Sequence, residues 1–195
     1  MKRTMDIICA AAGIIFLSPL FLLLPLAIVL QSKGPALHRR TVIGKNGVPF
    51  KAYKFRTMVE NAEEILKNNK ELNEKFIESF KLRKDPRITR LGYFLRKFSL
   101  DEIPQFFNVL KGDMSLVGPR IMTEDELLIY GKWRDAVLSV RPGLSGLWQV
   151  SGRQEVSLKR RQELDIHYVN HMSLMKDICI ILRTFKVVIK AQGAY

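Results

Sequence analysis

The sequence predicts a mainly α-helical protein with one small β-hairpin. It is expected to be a monotopic membrane protein, held by an N-terminal re-entrant helix-break-helix and by interfacial amphipathic helices. Three observations predict this. Residues 7–30 carry no charge, apolar residues recur at helical spacing in several later stretches, and one Asn-Gly turn separates two strand-like arms.

The uncharged run is long enough to cross a bilayer core, which needs about 20 residues. Ser18-Pro19 falls near its middle and Pro25 follows, and a proline removes a backbone donor and clashes with the preceding turn, so a break near Ser18 is predicted. Lys2 and Arg3 precede the run, and Lys33, Arg39, Arg40 and Lys45 follow it. Cations on both flanks conflict with a simple crossing, whereas a segment that enters and leaves by the same face satisfies both ends. A cleaved signal peptide and an ordinary single span are the competing readings; the signal peptide lacks a small-x-small site before Gln31.

Residues 36–56 read as the hairpin, with Gly44-Lys45-Asn46-Gly47 as its turn and Lys51, Lys54 and Arg56 on its second arm. Residues 57–82 read as a surface helix, broken at Asn68-Asn69 and carrying Ala62, Ile65, Leu66, Phe76, Ile77 and Phe80. Ser99 reads as the N-cap of the next helix. Glu102 completes a capping box, Ile103, Phe106, Phe107 and Leu110 form the apolar stripe, and Gly112 ends it. A further helix is expected over 123–140, with an acid-rich first turn, and a loop with Gly143, Gly146 and Gly152 follows. One long helix is expected over 157–190. Leu174, Ile178, Ile181, Leu182, Phe185 and Val188 share a face in its second half, among basic residues, as in a helix that lies in the membrane interface.

Net charge separates function classes. At 195 residues with 32 Lys+Arg against 19 Asp+Glu, the chain carries +13 and calls for an anionic partner: nucleic acid, an anionic lipid surface or a phosphorylated substrate. Nucleic-acid binding explains the charge but not residues 7–30, so none is expected. Cys9 and Cys179 lie far apart in apolar segments and indicate no disulfide framework. His167 and His171 have i, i+4 spacing but lack a companion motif, and read as surface histidines.

Asp101 and Glu102 admit two readings. They can simply serve a helix start, where carboxylates suit the dipole. Alternatively, the crowd of Arg90, Arg96, Lys97, Lys111 and Arg120 makes a phosphate-binding neighbourhood, in which an aspartate can attack phosphorus and its neighbour can hold a metal.

The stretch SLDEIPQFFNVLKGDMSLVGPR resembles the signature of the bacterial monotopic phosphoglycosyl transferases, the polyprenyl-phosphate sugar-1-phosphate transferases. KRTMDI with the Ser18-Pro19 break, YKFRTM, DPRITRLGYFLRKFSLDE and VRPGLSGLWQVSGR extend the resemblance along nearly the whole chain. GLWQVSGR and Gly193-Ala194-Tyr195 also resemble the catalytic end of the larger hexose-1-phosphate transferases, which favours galactose or glucose as the sugar.

The resemblance implies roles position by position. Asp101 matches the nucleophile that attacks the β-phosphorus of a UDP-sugar, expels UMP and holds the sugar phosphate. Glu102 matches the carboxylate that binds magnesium. Lys54 and Arg96 match basic residues near the dyad, Arg120, Arg141 and Arg153 match arginines on the donor phosphates, and Asp165 matches a supporting acidic position. Ser18-Pro19 matches the break that turns the membrane helix back. The family usually reads Gly-Pro-Arg-Pro, whereas Ile121 follows Arg120 here.

The expected organisation is therefore a re-entrant membrane helix over 1–34 and a cytoplasmic catalytic domain over 35–195, packed on the membrane as one unit. Its expected partners are a UDP-sugar, polyprenyl (undecaprenyl) phosphate, the phospholipid membrane at the cytoplasmic face of the bacterial inner membrane, and downstream glycosyltransferases. The rival reading is a non-enzymatic basic surface module that binds anionic lipid or a partner protein.

Overall fold

The computed structural model describes residues 1–79, 82, 85–191 and 193; Phe80, Ala194 and Tyr195 lie outside the described residues. Helices α1 (Lys2–Phe16) and α2 (Ser18–Gln31) meet at a 60° bend. The bend falls at Leu17-Ser18-Pro19 because Pro19, at the start of α2, cannot donate to the last turn of α1. Pro25 stays inside α2 without breaking it. Among the described residues no single helix is long and apolar enough to cross a membrane, although the bent pair together has that composition.

Both ends of the pair are fastened to the same body. At the entrance, Lys2 Nζ lies 2.6 Å from Asp177 Oδ2 and donates to the Val117 carbonyl at 2.9 Å. Arg3 donates to the Val109 and Leu110 carbonyls, and buried Asp6 accepts from the Ser115 hydroxyl and the Leu116 amide. At the exit, Arg56 donates to the Ser32 and Lys33 carbonyls, each at 2.6 Å. Between these anchors, Ile8, Ile15, Phe16, Leu22, Leu23, Leu26, Val29 and Leu30 are all more than half exposed, an apolar surface with no protein over it.

Strands β1 (Leu37–Ile43) and β2 (Pro49–Phe55) form the predicted antiparallel hairpin, in register from Leu37 opposite Phe55 to Ile43 opposite Pro49. The turn needs left-handed backbone at Asn46 (φ 57°) and Gly47 (φ 78°), the two residue types that adopt it most readily. Helices α3 (Ala62–Asn68) and α4 (Lys70–Ser79) break at Asn69, beside the predicted Asn-Asn. Helix α5 (Arg90–Lys97) is capped by the Thr89 hydroxyl, and α6 (Gln105–Lys111) ends at Gly112 with φ 94°, as expected.

Four sequence readings change. Ser99 is not an N-cap: it sits at φ 53° with no capping bond, and Leu100–Glu102 form a single 3-10 turn before α6 begins after Pro104. The capping box fails because Ser99 and Glu102 are drawn to Arg153 and Lys54 instead. The helix expected over 123–140 is two, α7 (Glu124–Leu128) and α8 (Arg134–Leu138), separated at Gly131, whose φ of 46° ends the helical run. The helix expected over 157–190 is also two, α9 (Leu158–Asn170) and α10 (Leu174–Ile189), because Ser173 caps α10 by accepting from the Lys176 amide. Finally, β3 (Ser115–Val117) and β4 (Gly143–Ser145) form an unforeseen parallel pair, for which three residues are too few to show alternation.

Three apolar clusters hold these elements. Ala10, Val109, Met114, Val117, Tyr168 and Ile180 join α1 and α10 to α6, β3 and α9. Leu24, Ile28, Phe55, Leu95 and Ile103 join α2 to the hairpin and α5, and Met122, Leu127, Tyr130 and Val137 close the α7–α8 end. On α10 the outward face carries Met175, Ile178, Leu182, Phe185 and Ile189, all exposed, while Ile180 and Asp177 point inward. Cys9 and Cys179 are free and exposed, and His167 and His171 stack together with ring centroids 4.4 Å apart.

Candidate functional site

Asp101 and Glu102 lie in the turn between α5 and α6. Pro104 prevents a regular start there, and Asn108, fully buried on α6, sets the distance to the hairpin. Its amide accepts from the Tyr53 backbone at 3.0 Å and donates to the Lys51 carbonyl at 2.8 Å, occupying the outer edge of β2. That pairing brings Lys54 to the turn, where its Nζ lies 2.6 Å from Glu102 Oε1. Arg96, in the last turn of α5, donates from Nε to the Thr57 hydroxyl at 2.9 Å. Arg153, at φ 50°, donates from Nη2 to the Ser99 hydroxyl at 2.6 Å. The strained backbones of Ser99 and Arg153 thus meet at one hydrogen bond beside the dyad.

The two carboxyls differ electrostatically. Asp101 is only 7% exposed, and burial pushes its pKa above the ordinary carboxylate value; the Glu102 charge adds to this, against the pull of Lys54 and Arg96. Burial also acts to raise Glu102, but the Lys54 ion pair and the charges of Arg153 and Arg120 outweigh it and hold Glu102 below its usual value. The turn therefore holds one ionised, cation-paired carboxylate next to a more basic, poorly solvated one. The latter is the better nucleophile once ionised.

Arg120 and Asp165 form an adjoining cluster. Arg120 Nη1 pairs with Glu126 Oε1 at 3.0 Å and its guanidinium lies 6.0 Å from the Trp148 ring centre. Asp165 Oδ2 accepts from the Tyr130 hydroxyl at 2.8 Å and, more weakly, from the Arg120 amide at 3.4 Å. Arg141 lies apart, exposed at the opposite end of α6, where its Nε caps the Gly112 carbonyl at 2.6 Å. The structure thus brings Lys54, Arg96, Asp101, Glu102 and Arg153 together, sets Arg120 and Asp165 alongside, and leaves Arg141 roughly the length of α6 away, about 10 Å for seven residues. Ser18 and Pro19 stand at the α1–α2 bend.

Sequence reasoning missed Glu126, Tyr130, Arg40 and Asn108. Glu126 accepts from Thr123, closes a capping box, and pairs with both Arg120 and Arg40. Its Thr-x-x-Glu spacing was a readable signal. Tyr130 and Asn108 had none, since their roles depend on distant partners.

Burial pushes Asp165 up to about 7, against hydrogen bonds from Tyr130 and Arg120 that pull it down. Its Oδ1 is buried with no hydrogen-bond partner among the described residues. The folded chain keeps this proton up to about pH 7 while the unfolded chain releases it near 3.8, so stability falls as pH rises between those values. Asp165→Asn is expected to remove that fall. The melting temperature of the variant, close to the parent's at pH 4, should exceed it by a growing margin up to pH 7 and by a constant one above. Parallel melting curves across this range would refute a neutral Asp165.

Among the described residues no group of three or more His, Cys, Asp or Glu could hold a metal by itself. Two adjacent carboxyls suit a magnesium ion that takes its remaining ligands from substrate phosphates and water, the usual arrangement for that ion.

Residues 1–191 match the model of a bacterial sugar transferase family. The chain is 46% identical over its full length to the undecaprenyl-phosphate galactose phosphotransferase of Salmonella typhimurium, of which it covers 42%. It is 45% identical to the exopolysaccharide production protein ExoY of Sinorhizobium fredii, covering all of this chain and 88% of that one. It is 39% identical to the UDP-glucose:undecaprenyl-phosphate glucose-1-phosphate transferase of Caulobacter vibrioides, covering all of this chain and 72% of that one. The chain thus spans less than half of the first of these relatives and most of the other two. A family model matched over residues 1–191 and relatives this similar along the whole chain show that the protein belongs to the bacterial sugar transferase family.

Proposed function

We propose that the chain transfers a hexose 1-phosphate from a UDP-sugar to a polyprenyl phosphate, with undecaprenyl phosphate as acceptor, and so begins assembly of a surface or exported glycan. The observation that carries this reading is the buried, basic Asp101 beside the ionised Glu102, ringed by Lys54, Arg96 and Arg153, in a chain with a bare apolar helix pair. The names of the relatives support the acceptor, and those of two of them point to galactose and glucose.

In the proposed reaction an Asp101 carboxylate oxygen bonds to the β-phosphorus of the donor while the bond from that phosphorus to the bridging oxygen breaks. UMP leaves with the electron pair. An oxygen of the polyprenyl phosphate then attacks the same phosphorus, breaking the bond to Asp101 and freeing the carboxylate. Lys54, Arg96 and Arg153 hold the diphosphate and offset the charge that gathers on the leaving UMP, the main help a phosphoryl transfer can receive. Glu102 would hold a magnesium ion, which would supply further neutralisation of the diphosphate. Arg120 and Asp165 complete the proposed substrate-binding set, Asp165 by holding the Arg120 backbone, whereas Arg141, expected in that set from the sequence, caps the Gly112 carbonyl at the far end of α6.

The proposed setting is the cytoplasmic leaflet of the bacterial inner membrane, with residues 1–34 re-entrant, 35–195 packed on the surface and downstream glycosyltransferases taking the product. The fastening of both ends of the helix pair to one body supports this topology. Tags placed at residue 1 and at residue 195 are expected to be accessible from the same side of sealed vesicles; opposite accessibility would sink the re-entrant reading.

The reaction is tested by incubating the purified chain with magnesium, undecaprenyl phosphate and a panel of UDP-sugars, and measuring UMP. UMP from one sugar, dependent on magnesium, is the expected outcome. Folded protein that releases none from any donor would overturn the proposal in favour of a lipid-binding module.

A further inference from the structure

Between α2, the hairpin and the start of α6 lies an open cavity of about 320 Å³. Phe21 and Pro25 of α2, Leu37 and Phe55 of the hairpin, and Pro104 and Phe107 form its apolar walls. The aromatic rings brace one another: Phe21 meets Phe107 at 5.4 Å and Phe55 at 6.1 Å, both edge to face. Phe55 is buried, whereas Phe107 is 41% exposed, so the cavity is an open groove and not a sealed void. Among the described residues Arg39 is the sole charged one in its lining, and it lies over the Tyr53 ring at 5.9 Å.

Two features limit what fits. One wall belongs to α2, whose remaining surface is bare and apolar, so the groove adjoins the surface proposed to face lipid. The opposite wall begins at Pro104, two residues beyond Glu102, so it runs into the turn that carries the dyad. A nucleotide sugar, polar along its length, gains nothing from walls of Phe, Leu and Pro. A hydrocarbon chain with an anionic head does, since about 25 cal/mol is gained per Å² of apolar surface buried.

We infer that this groove holds the isoprene units of the acceptor nearest its phosphate, leading the lipid from the bilayer to Asp101, with Arg39 at the mouth and Lys54 near the dyad to meet the phosphate. The inference rests on the proposed function for the identity of the acceptor, and adds where that acceptor lies. A cavity of this size takes only the start of a long chain, and the rest stays in the membrane.

The test uses the full chain in nanodiscs of phosphatidylethanolamine and phosphatidylglycerol, with farnesyl phosphate carrying a diazirine on its second isoprene unit. Photolysis should label peptides containing Phe21 or Phe107, in the parent and in Asp101→Asn alike. Undecaprenyl phosphate should compete, and an equal excess of phosphatidylglycerol should not. Label elsewhere, or equal competition by phosphatidylglycerol, overturns the inference, the second result making the groove a site for bulk lipid. In parallel, Phe107→Ala and Phe107→Trp, one opening the groove and one filling it, should each raise KM for undecaprenyl phosphate about tenfold with kcat little changed. The exchange of labelled UMP into UDP-sugar, which needs no lipid, reports the donor half-reaction and folding together. An unchanged KM in variants that retain exchange overturns the groove. Absence of exchange in the parent chain overturns the covalent reading, and the photolabel still decides the groove.

Discussion

Asp101→Asn is expected to abolish transfer, with turnover at least about 10³-fold below the parent, the scale of losing the proposed covalent nucleophile. The amide has the shape of the carboxyl but cannot form the bond to phosphorus. The variant should still fold. Burial already disfavours the charged form of Asp101, so a neutral side chain removes a cost, and the melting temperature should equal or exceed the parent's at neutral pH. The proposed membrane association should also persist, because Lys2, Arg3 and Arg56, which fasten the helix pair, are untouched. The raised pKa adds a pH signature. The reactive form is the ionised one, so the rate of UMP exchange in the parent chain should climb as pH rises above the ordinary carboxylate range. Full turnover by Asp101→Asn would end the nucleophile assignment.

Gly92→Ala should cost stability on the order of 3 kcal/mol, near the upper end for overpacking and worth roughly 6–12 °C in melting temperature for a chain of this size. A Cβ at Gly92 would stand 2.0 Å from the Thr57 carbonyl oxygen and under 3 Å from the Thr57 carbonyl carbon and Cα. Thr57 cannot yield cheaply. Its carbonyl accepts from the Thr89 amide at 3.0 Å, its hydroxyl holds Arg96, and the adjacent Met58 bridges to Ile88. Relief requires α5 to shift, carrying Arg96 and the turn that bears Asp101 and Glu102 with it. Activity should therefore fall together with stability, and a scanning-calorimetry midpoint equal to the parent's would show that the close approach of α5 to Thr57 is not rigid.

The contrast between these two substitutions shows what the chain reveals at each level. Asp101 is conspicuous in the sequence because its neighbours are cations and its motif is long. Gly92 is one glycine among 12, and only the packing of α5 on Thr57 makes it irreplaceable. Glu126 stands between them: its capping box could be read from Thr123-Glu126, but its pairing with Arg120 and Arg40 joins segments 86 residues apart.

What the sequence determined by itself was local. The bend at Ser18-Pro19 follows from a missing donor, the hairpin turn from Asn46-Gly47 tolerating left-handed backbone, the end of α6 from Gly112, and the uncharged, apolar character of residues 7–30 from composition. Tertiary structure decided the rest, because competing local preferences were settled by distant partners. Ser99 and Glu102 could have capped a helix, but Arg153 and Lys54 bind them more strongly, a charged hydrogen bond outweighing a neutral cap. The same long-range pairing converts a plausible helix start into a buried turn in which two adjacent carboxyls take opposite shifts. Burial of one and ion pairing of the other depend on which strand and which helix fold over them, and that is absent from the order of residues along the chain.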